Sequence, residues 1–246
     1  MATYENYWLS NTFEINKQVI RLKQALKTSI VVDVDYVRVG SLNDGGYILA
    51  NDIKSADHVV SFGVETNVEF EKVLGTIGCS VDMYDYSVDA PPEYVPNSTF
   101  SKKKIGLASS GDTSLSSCLE NIDNDIILKI DIEGSEWSVL AEGDYDLSQC
   151  RQVAIEYHWT HQIADPAFCS VAIAAVENLR RTHTPVMVHA NNNVPLTIIG
   201  NSPVPMVFEV LYLRSSSYSF TTLRDPFEGL ITRNDPNFPE IGLSFP

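Results

Sequence analysis

Leu128-Lys129-Ile130-Asp131-Ile132-Glu133-Gly134-Ser135-Glu136-Trp137 is the stretch on which the fold turns. With Ile126 and Ile127 before it, the run is of strand length and apolar on both sides, as a strand buried on two faces must be. It breaks at Gly134 and passes at once into a helix-like stretch, Ser135 to Glu142. Lys129 and Asp131 are charges inside this apolar run, and burying them is costly unless they are paired or functional. Strand alternation puts both on one face, so mutual pairing meets part of that cost.

Outward from this unit the same alternation recurs. Further strand-like runs are Val59 to Gly63, Ser80 to Asp85, Lys104 to Ala108, Gln152 to His158, Pro185 to Ala190 and Phe208 to Arg214, with the central run ending at Ile132. Between them, Asn67 to Thr76, Ser114 to Asn121 and Pro166 to Arg181 read as helices. Strand and helix in turn predict a doubly wound α/β sheet of seven strands with helices on both faces. After Pro185 the helices cease, and a turn-rich stretch from Asn191 to Pro205 separates the last two runs, which predicts a C-terminal β-hairpin at the sheet edge. One domain is expected, with a helical extension at 1–37 (its amphipathic helix around Phe13 to Leu26), a core at 38–214, and an extension or lid at 215–246.

Composition narrows the partners. Of 246 residues, 44% are hydrophobic and 20% charged, an ordinary globular balance. Acidic side chains outnumber basic ones 32 to 17, a net charge of -15 that repels phosphate backbones and anionic lipid, so neither nucleic acid nor membrane insertion is expected. Cysteines 79, 118, 150 and 169 lack a Cys-x-x-Cys spacing and are expected to be reduced, buried thiols. Glu5, Glu14 and Lys17 interrupt the apolar residues of the first 27, unlike a signal peptide, and the expected location is cytoplasmic.

In an open α/β sheet the ligand lies at the carboxyl ends of the strands, and here those ends are polar. The first run ends in Ser61-Phe62-Gly63-Val64-Glu65-Thr66-Asn67, where Gly63 serves a tight turn or lets a ligand approach the backbone. Asp85 follows at the distance where such folds place a carboxylate for ribose hydroxyls, although it can equally cap its own loop. Asp131, then Glu156 and His158 two residues apart, then His189 before Asn191 and Asn192, end the later runs. If their strands are neighbours, they converge on one crevice. Such a cluster can hold a divalent cation such as Mg²⁺, through Asp131, Glu156 and His189, or tune His158 or His189 as a general base. Either histidine can instead be satisfied by the backbone. Val31-Val32-Asp33-Val34-Asp35 also resembles the Asp-x-Asp opening of a phosphatase with an aspartate nucleophile, a reading that requires this strand to open the sheet.

The segment 128–137 resembles the signature of the FkbM-like family of S-adenosylmethionine-dependent methyltransferases. Arg38-Val39-Gly40 with Asp44-Gly45-Gly46-Tyr47, Ser61-Phe62-Gly63-Val64, and Asp235-Pro236-Asn237 with Pro239-Glu240 fit the same family, so the resemblance spans about residues 38–240. It implies a Rossmann-like class I methyltransferase sheet and methyl transfer from S-adenosylmethionine to a hydroxyl of a sugar, in a glycan or a glycosylated metabolite. Carried over, Gly63 and Glu65 lie along the methionine part of the cofactor, Asp85 at its ribose and Asp131 beside the sulfonium, with Asp44, Gly45, Gly46 and Tyr47 as a wall. Asp131, His158 and His189 are then the catalytic candidates. Ser61 stands where the family's first motif commonly opens with an acid, and the usual run of glycines is absent. A phosphatase built on Asp33 and Asp35 and a noncatalytic binding module are the competing readings.

Overall fold

The computed structural model describes residues 13–32, 34–200, 202–221 and 226–243, and in it the run around Leu128 is the middle strand of seven. The described chain begins with helix α1 (Phe13–Ala25), strand β1 (Ile30–Val31) and a hairpin of β2 (Tyr36–Gly40) and β3 (Gly46–Ala50). The alternating part follows: β4 (His58–Phe62), α2 (Glu69–Ile77), β5 (Ser80–Tyr84), β6 (Ser98–Ser101), α3 (Leu115–Leu119), β7 (Ile126–Ile130), α4 (Glu136–Glu142), β8 (Cys150–Tyr157), α5 (Pro166–Leu179) and β9 (His183–Ala190). A small hairpin of β10 (Leu196–Ile199) and β11 (Ser202–Pro205) leads to β12 (Phe208–Arg214), and β13 (Phe220–Thr221) pairs back with β1.

The sheet order is β6-β5-β4-β7-β8-β12-β9. From β6 to β8 every pair is parallel, while β12 runs antiparallel to both β8 and β9. The expected terminal hairpin is therefore present, with its second strand inserted between β8 and β9. The chain leaves β4 in one direction for β5 and β6, then returns to β7 on the other side. This switch point opens a crevice between the carboxyl ends of β4 and β7.

All five residues of β7 are buried, because β4 and β8 flank it and both of its faces are covered. Residues of α1, α3, α4 and α5 pack on one face, and residues of α2 and of the β2–β3 hairpin on the other. On the first face Trp137 of α4 stacks on Tyr157 of β8, ring centroids 4.2 Å apart, and both are fully buried. Each such side chain contributes about 1.5–3 kcal/mol of burial free energy. Asp165 caps α5 by accepting from the Ala167 N–H at 2.8 Å, and Pro166 fills its first position. Ile15, Val19 and Leu22 of α1 join the same core, so this helix is part of the domain's packing.

Two expectations are corrected. Lys104 to Ala108 is not a strand; the sheet edge is β6, and Ile105 makes only an isolated bridge to Thr113. An edge strand buries little, so the polar Ser98-Thr99-Phe100-Ser101 carries no apolar signal. The β2–β3 hairpin was not among the expected strands; its Asp44-Gly45 turn is the local signal for it. The four cysteines are buried free thiols. Among the described residues no helix is long and apolar enough to cross a membrane.

Candidate active site

At the switch point lies a crevice of about 270 Å³, walled by the Gly63–Asn67 turn, Asp44, Lys129, Asp131, Glu156, His158, Trp159 and Asn191. A second lobe of about 100 Å³, bounded by Tyr84, Asp85, Tyr86 and Lys103, shares Gly63, Glu65, Asp131 and Glu133 with the first. Of the residues expected at the site, Asp44, Gly45, Gly63, Glu65, Asp85, Asp131, Glu156 and His158 line one lobe or both.

Gly63 has φ +80°, and a Cβ there would fall on the carbonyl oxygen of Asp131. Only glycine lets the ends of β4 and β7 lie this close. Asp85 takes the loop-capping role: one oxygen accepts from the N–H groups of Val64 and Glu65 at 2.8 and 2.9 Å, the other from the N–H and hydroxyl of Ser87. Burial pushes its carboxyl up, but these bonds prevail and hold it below its ordinary value. Asp85 thus shapes the Gly63–Glu65 turn and walls the second lobe at once.

Beneath the crevice sits a buried network. Lys129 donates to the Gly63 carbonyl, and its Nζ lies 3.6 Å from both Asp131 and Glu71, which confirms the pairing expected of Asp131 and adds a partner from α2. Ser61, in the place of the usual acid, donates to that same Glu71 at 2.5 Å. Tyr47, placed by β3, donates to Asp131 at 2.7 Å and lies 3.3 Å from Glu156. Glu156 also accepts from Asn191 at 2.8 Å. Burial, then the neighbouring Asp131 and Glu209 carboxylates, hold Glu156 well above the usual carboxyl range.

His158 sits just past β8 with Nδ1 3.0 Å from Glu136 Oε1 and Nε2 3.8 Å from Asp131 and 3.7 Å from Glu133. Glu136, fully buried, also accepts from the N–H groups of Ile132 and Gly134 and so fixes both the histidine and the turn. Burial alone would lower the His158 pKa, but the Glu136 hydrogen bond and the surrounding carboxylates raise it to about 10. These contacts favour the imidazolium at neutral pH, whereas the sequence reading expects a base poised near pH 7. Sequence reasoning missed Glu136 and Glu71, because acids in a first helical turn read as ordinary dipole partners.

His189 is placed elsewhere. It shares a row with Glu156, but β12 lies between their strands and Glu209 stands between the two side chains in register. Its Nε2 is 2.9 Å from Glu240 and its Nδ1 3.7 Å from Glu209, and it lines neither lobe. Among the described residues, the cluster whose ligand atoms lie within 4.8 Å of one another is Asp131, Glu156 and His158, not the set with His189. Two carboxylates and His158 would suit a borderline cation better than Mg²⁺, which prefers oxygen throughout, and the ring would have to give up its proton to bind one. Gly46 stands behind the wall as the β3 residue paired with Gly40.

Asp33 lies outside the described residues. Asp35 precedes β2, at the end of the hairpin remote from Asp44 and Gly45, and β1 pairs only with β13, so this segment does not open the main sheet as a phosphatase nucleophile requires. Backbone strain, by contrast, gathers at the crevice. Among the described residues, five other than glycine have positive φ; two are asparagines, and the other three, Glu65, Glu133 and Trp159, all line the crevice. Such conformations persist where the surroundings enforce them, and they concentrate at functional sites.

The family description "Methyltransferase FkbM domain" matches residues 52–181, over half of the chain and the part that carries Gly63, Asp85, Asp131, Glu156 and His158. No curated protein matches the chain.

Proposed function

The chain belongs to the FkbM methyltransferase family, and from that premise we propose that it transfers a methyl group from S-adenosylmethionine to a hydroxyl of a sugar, in a glycan or glycosylated metabolite. The observation that carries this reading is the junction of the two lobes, where Glu65, Asp131 and Glu133 form a shared carboxylate wall. That donor set suits a sulfonium cation, and the lobe with Tyr84, Asp85 and Tyr86 suits its nucleoside. Gly63 and Glu65 would hold the methionine part, Asp85 the ribose side. When bound, the cofactor supplies a methyl group made electrophilic by the positive sulfur.

The chain's own residues then have separable tasks. Asp131 accepts the proton of the acceptor hydroxyl through Oδ1, while Tyr47, bonded to Oδ2 at 2.7 Å, keeps the carboxylate from rotating. His158, already protonated, is not the base at neutral pH; its charge offsets the carboxylates around it. Glu156, whose carboxyl is shifted toward the neutral form by burial and by the neighbouring Asp131 and Glu209 carboxylates, is placed to hydrogen-bond the incoming hydroxyl. Four unpaired cysteines suit a reducing compartment, so the cytoplasm is the proposed place of action.

The test is calorimetric titration with S-adenosylhomocysteine, followed by transfer of labelled methyl to neutral glycosides, with and without Mg²⁺ or Mn²⁺. Binding is expected in the parent and in Asp131→Asn, and weakened in Asp85→Ala. Transfer is expected to fall by about 10²–10⁴-fold in Asp131→Asn, the usual worth of a general base. No binding by the parent would sink the cofactor reading, and full transfer by Asp131→Asn would remove this residue as the base. A strict cation requirement would reassign Asp131, Glu156 and His158 as ligands.

A further inference from the structure

We infer that the acceptor is a sugar ring that carries no phosphate and lies against Trp159; this rests on the methyl-transfer reading above. The two lobes divide the labour. The lobe with Asp85 is taken by the nucleoside, so the larger one, bounded by Asp44, Glu156, Trp159 and Asn191, is left for the acceptor.

Trp159 is built into that position. It lies two residues past the end of β8, yet it is 43% exposed, whereas Trp137 beside the same strand is buried. Its φ of +55° is a strained conformation for a bulky residue, and its indole N–H donates to the Glu133 carbonyl at 3.2 Å. A Cβ on Gly134 would strike the indole, so the turn after β7 leaves room for this ring. A held, half-exposed indole at a crevice offers the flat apolar face on which the C–H face of a sugar ring stacks.

Charge decides the rest. Acidic side chains line the acceptor lobe: Asp44, Glu65, Asp131 and Glu133, together with the Glu156 carboxyl. Its cations are Lys129, engaged with Gly63, Glu71 and Asp131, and His158, engaged with Glu136. No arginine is among the described residues that line it, and Lys103 and Lys104 face the other lobe. Phosphate recognition calls for free cationic donors, and here a phosphate would meet carboxylates. Asn193 supplies a neutral amide at the lining, which suits hydroxyls, while the Asn67 and Asn191 amides are engaged with Ser41, Asp44 and Glu156.

The experiment compares p-nitrophenyl hexosides with the matched hexose 1-phosphates and nucleoside-diphosphate hexoses, in the parent, Trp159→Ala and Trp159→Phe. Methyl transfer and direct calorimetric binding are both read, and S-adenosylhomocysteine affinity is measured alongside. The neutral glycosides are expected to be used at least tenfold better than their phosphorylated counterparts. Trp159→Ala should raise KM for the glycoside by about tenfold, the scale of one lost aromatic contact, with Trp159→Phe restoring most of it and cofactor affinity unchanged in both. Equal or better use of the phosphorylated sugars overturns the inference, as does an unchanged KM in Trp159→Ala. If no glycoside binds or reacts while S-adenosylhomocysteine still binds, the sugar assignment fails and the cofactor reading survives. If S-adenosylhomocysteine does not bind, the failure lies with the methyl-transfer reading.

Discussion

Single residues decide the proton inventory of the crevice, and Glu136 decides most for His158. Burial favours the neutral imidazole, so an imidazolium with a pKa of about 10 means that the carboxylates outweigh desolvation. Glu136 is the nearest of them, at 3.0 Å, and it is fully buried, where a charge acts with little screening. Glu136→Gln retains an oxygen for the N–H groups of Ile132 and Gly134 while it removes the charge. The expected result is an NMR titration midpoint for the His158 ring that falls from about 10 by at least about one pH unit, since the loss of a close charge-assisted bond is worth roughly 1.5–3 kcal/mol. Methyl transfer by the variant should then acquire a pH dependence between neutrality and pH 9 that the parent lacks. An unmoved midpoint would show that Asp131, Glu133 and Glu156 hold the proton without Glu136.

At the scale of elements, the C-terminal segment 234–240 is tied across the rim of the sheet by side chains that follow β9. Asn192, fully buried, donates to the carbonyls of Asp235, Phe238 and Pro239 and accepts from the Asp235 N–H at 2.9 Å. Asn234 adds bonds to Glu209 and Asp44 at 2.8 and 3.2 Å, and His189 meets Glu240. The segment expected as an extension or lid is thus a strap with one principal fastener. Asn192→Ala removes the partner of the half-buried Asp235 N–H and should cost about 0.5–1.5 kcal/mol, the net worth of a typical hydrogen bond. Hydrogen exchange is expected to quicken at Asp235 while β7 and β8 stay protected; equal acceleration in the sheet would mean that the strap is not a separate unit. Other elements differ in how plainly their residues announce them. β7 and α4 were legible because an apolar run meets a glycine and then a helix-like stretch, and Asp131, Glu156 and His158 were found because they end such runs. β6 was not, since an edge strand needs no apolar run. His189 was read at the right strand end but with the wrong neighbours, because the order β8-β12-β9 is set by long-range pairing that no local pattern records. Glu136 left one faint trace, an acid two residues beyond the glycine turn.

For the whole molecule, two buried histidines of opposite character set how stability depends on pH. His183, at the start of β9 and far from the crevice, donates from Nε2 to the Cys150 carbonyl at 2.7 Å and accepts at Nδ1 from Thr182 at 2.8 Å. Burial is the main cause that lowers its pKa from 6.5 to about 4. Between those values the unfolded chain binds a proton that the folded chain refuses, so stability falls as pH falls, by about 1.4 kcal/mol per pH unit from this group. His158 works the other way. Its raised value gives a contribution that is complete below pH 6.5 and is lost as pH rises toward about 10. Glu156, whose pKa is raised by burial and then by the Asp131 and Glu209 carboxylates, works in the same direction as His158 and so opposes His183. The two histidines taken alone favour a pH near 6.5, where neither has yet lost its contribution, and Glu156 flattens the acid side of that curve. Urea unfolding of the parent and His183→Gln from pH 7 to pH 4.5 isolates the acid limb. The variant is expected to be less stable at pH 7, where the buried hydrogen bonds of the imidazole are lost, and to lose less on acidification, so that the two curves converge. Curves that stay parallel would mean that His183 is protonated in the folded state or exchanges its proton without cost, and the acid limb would then belong to the carboxylates alone.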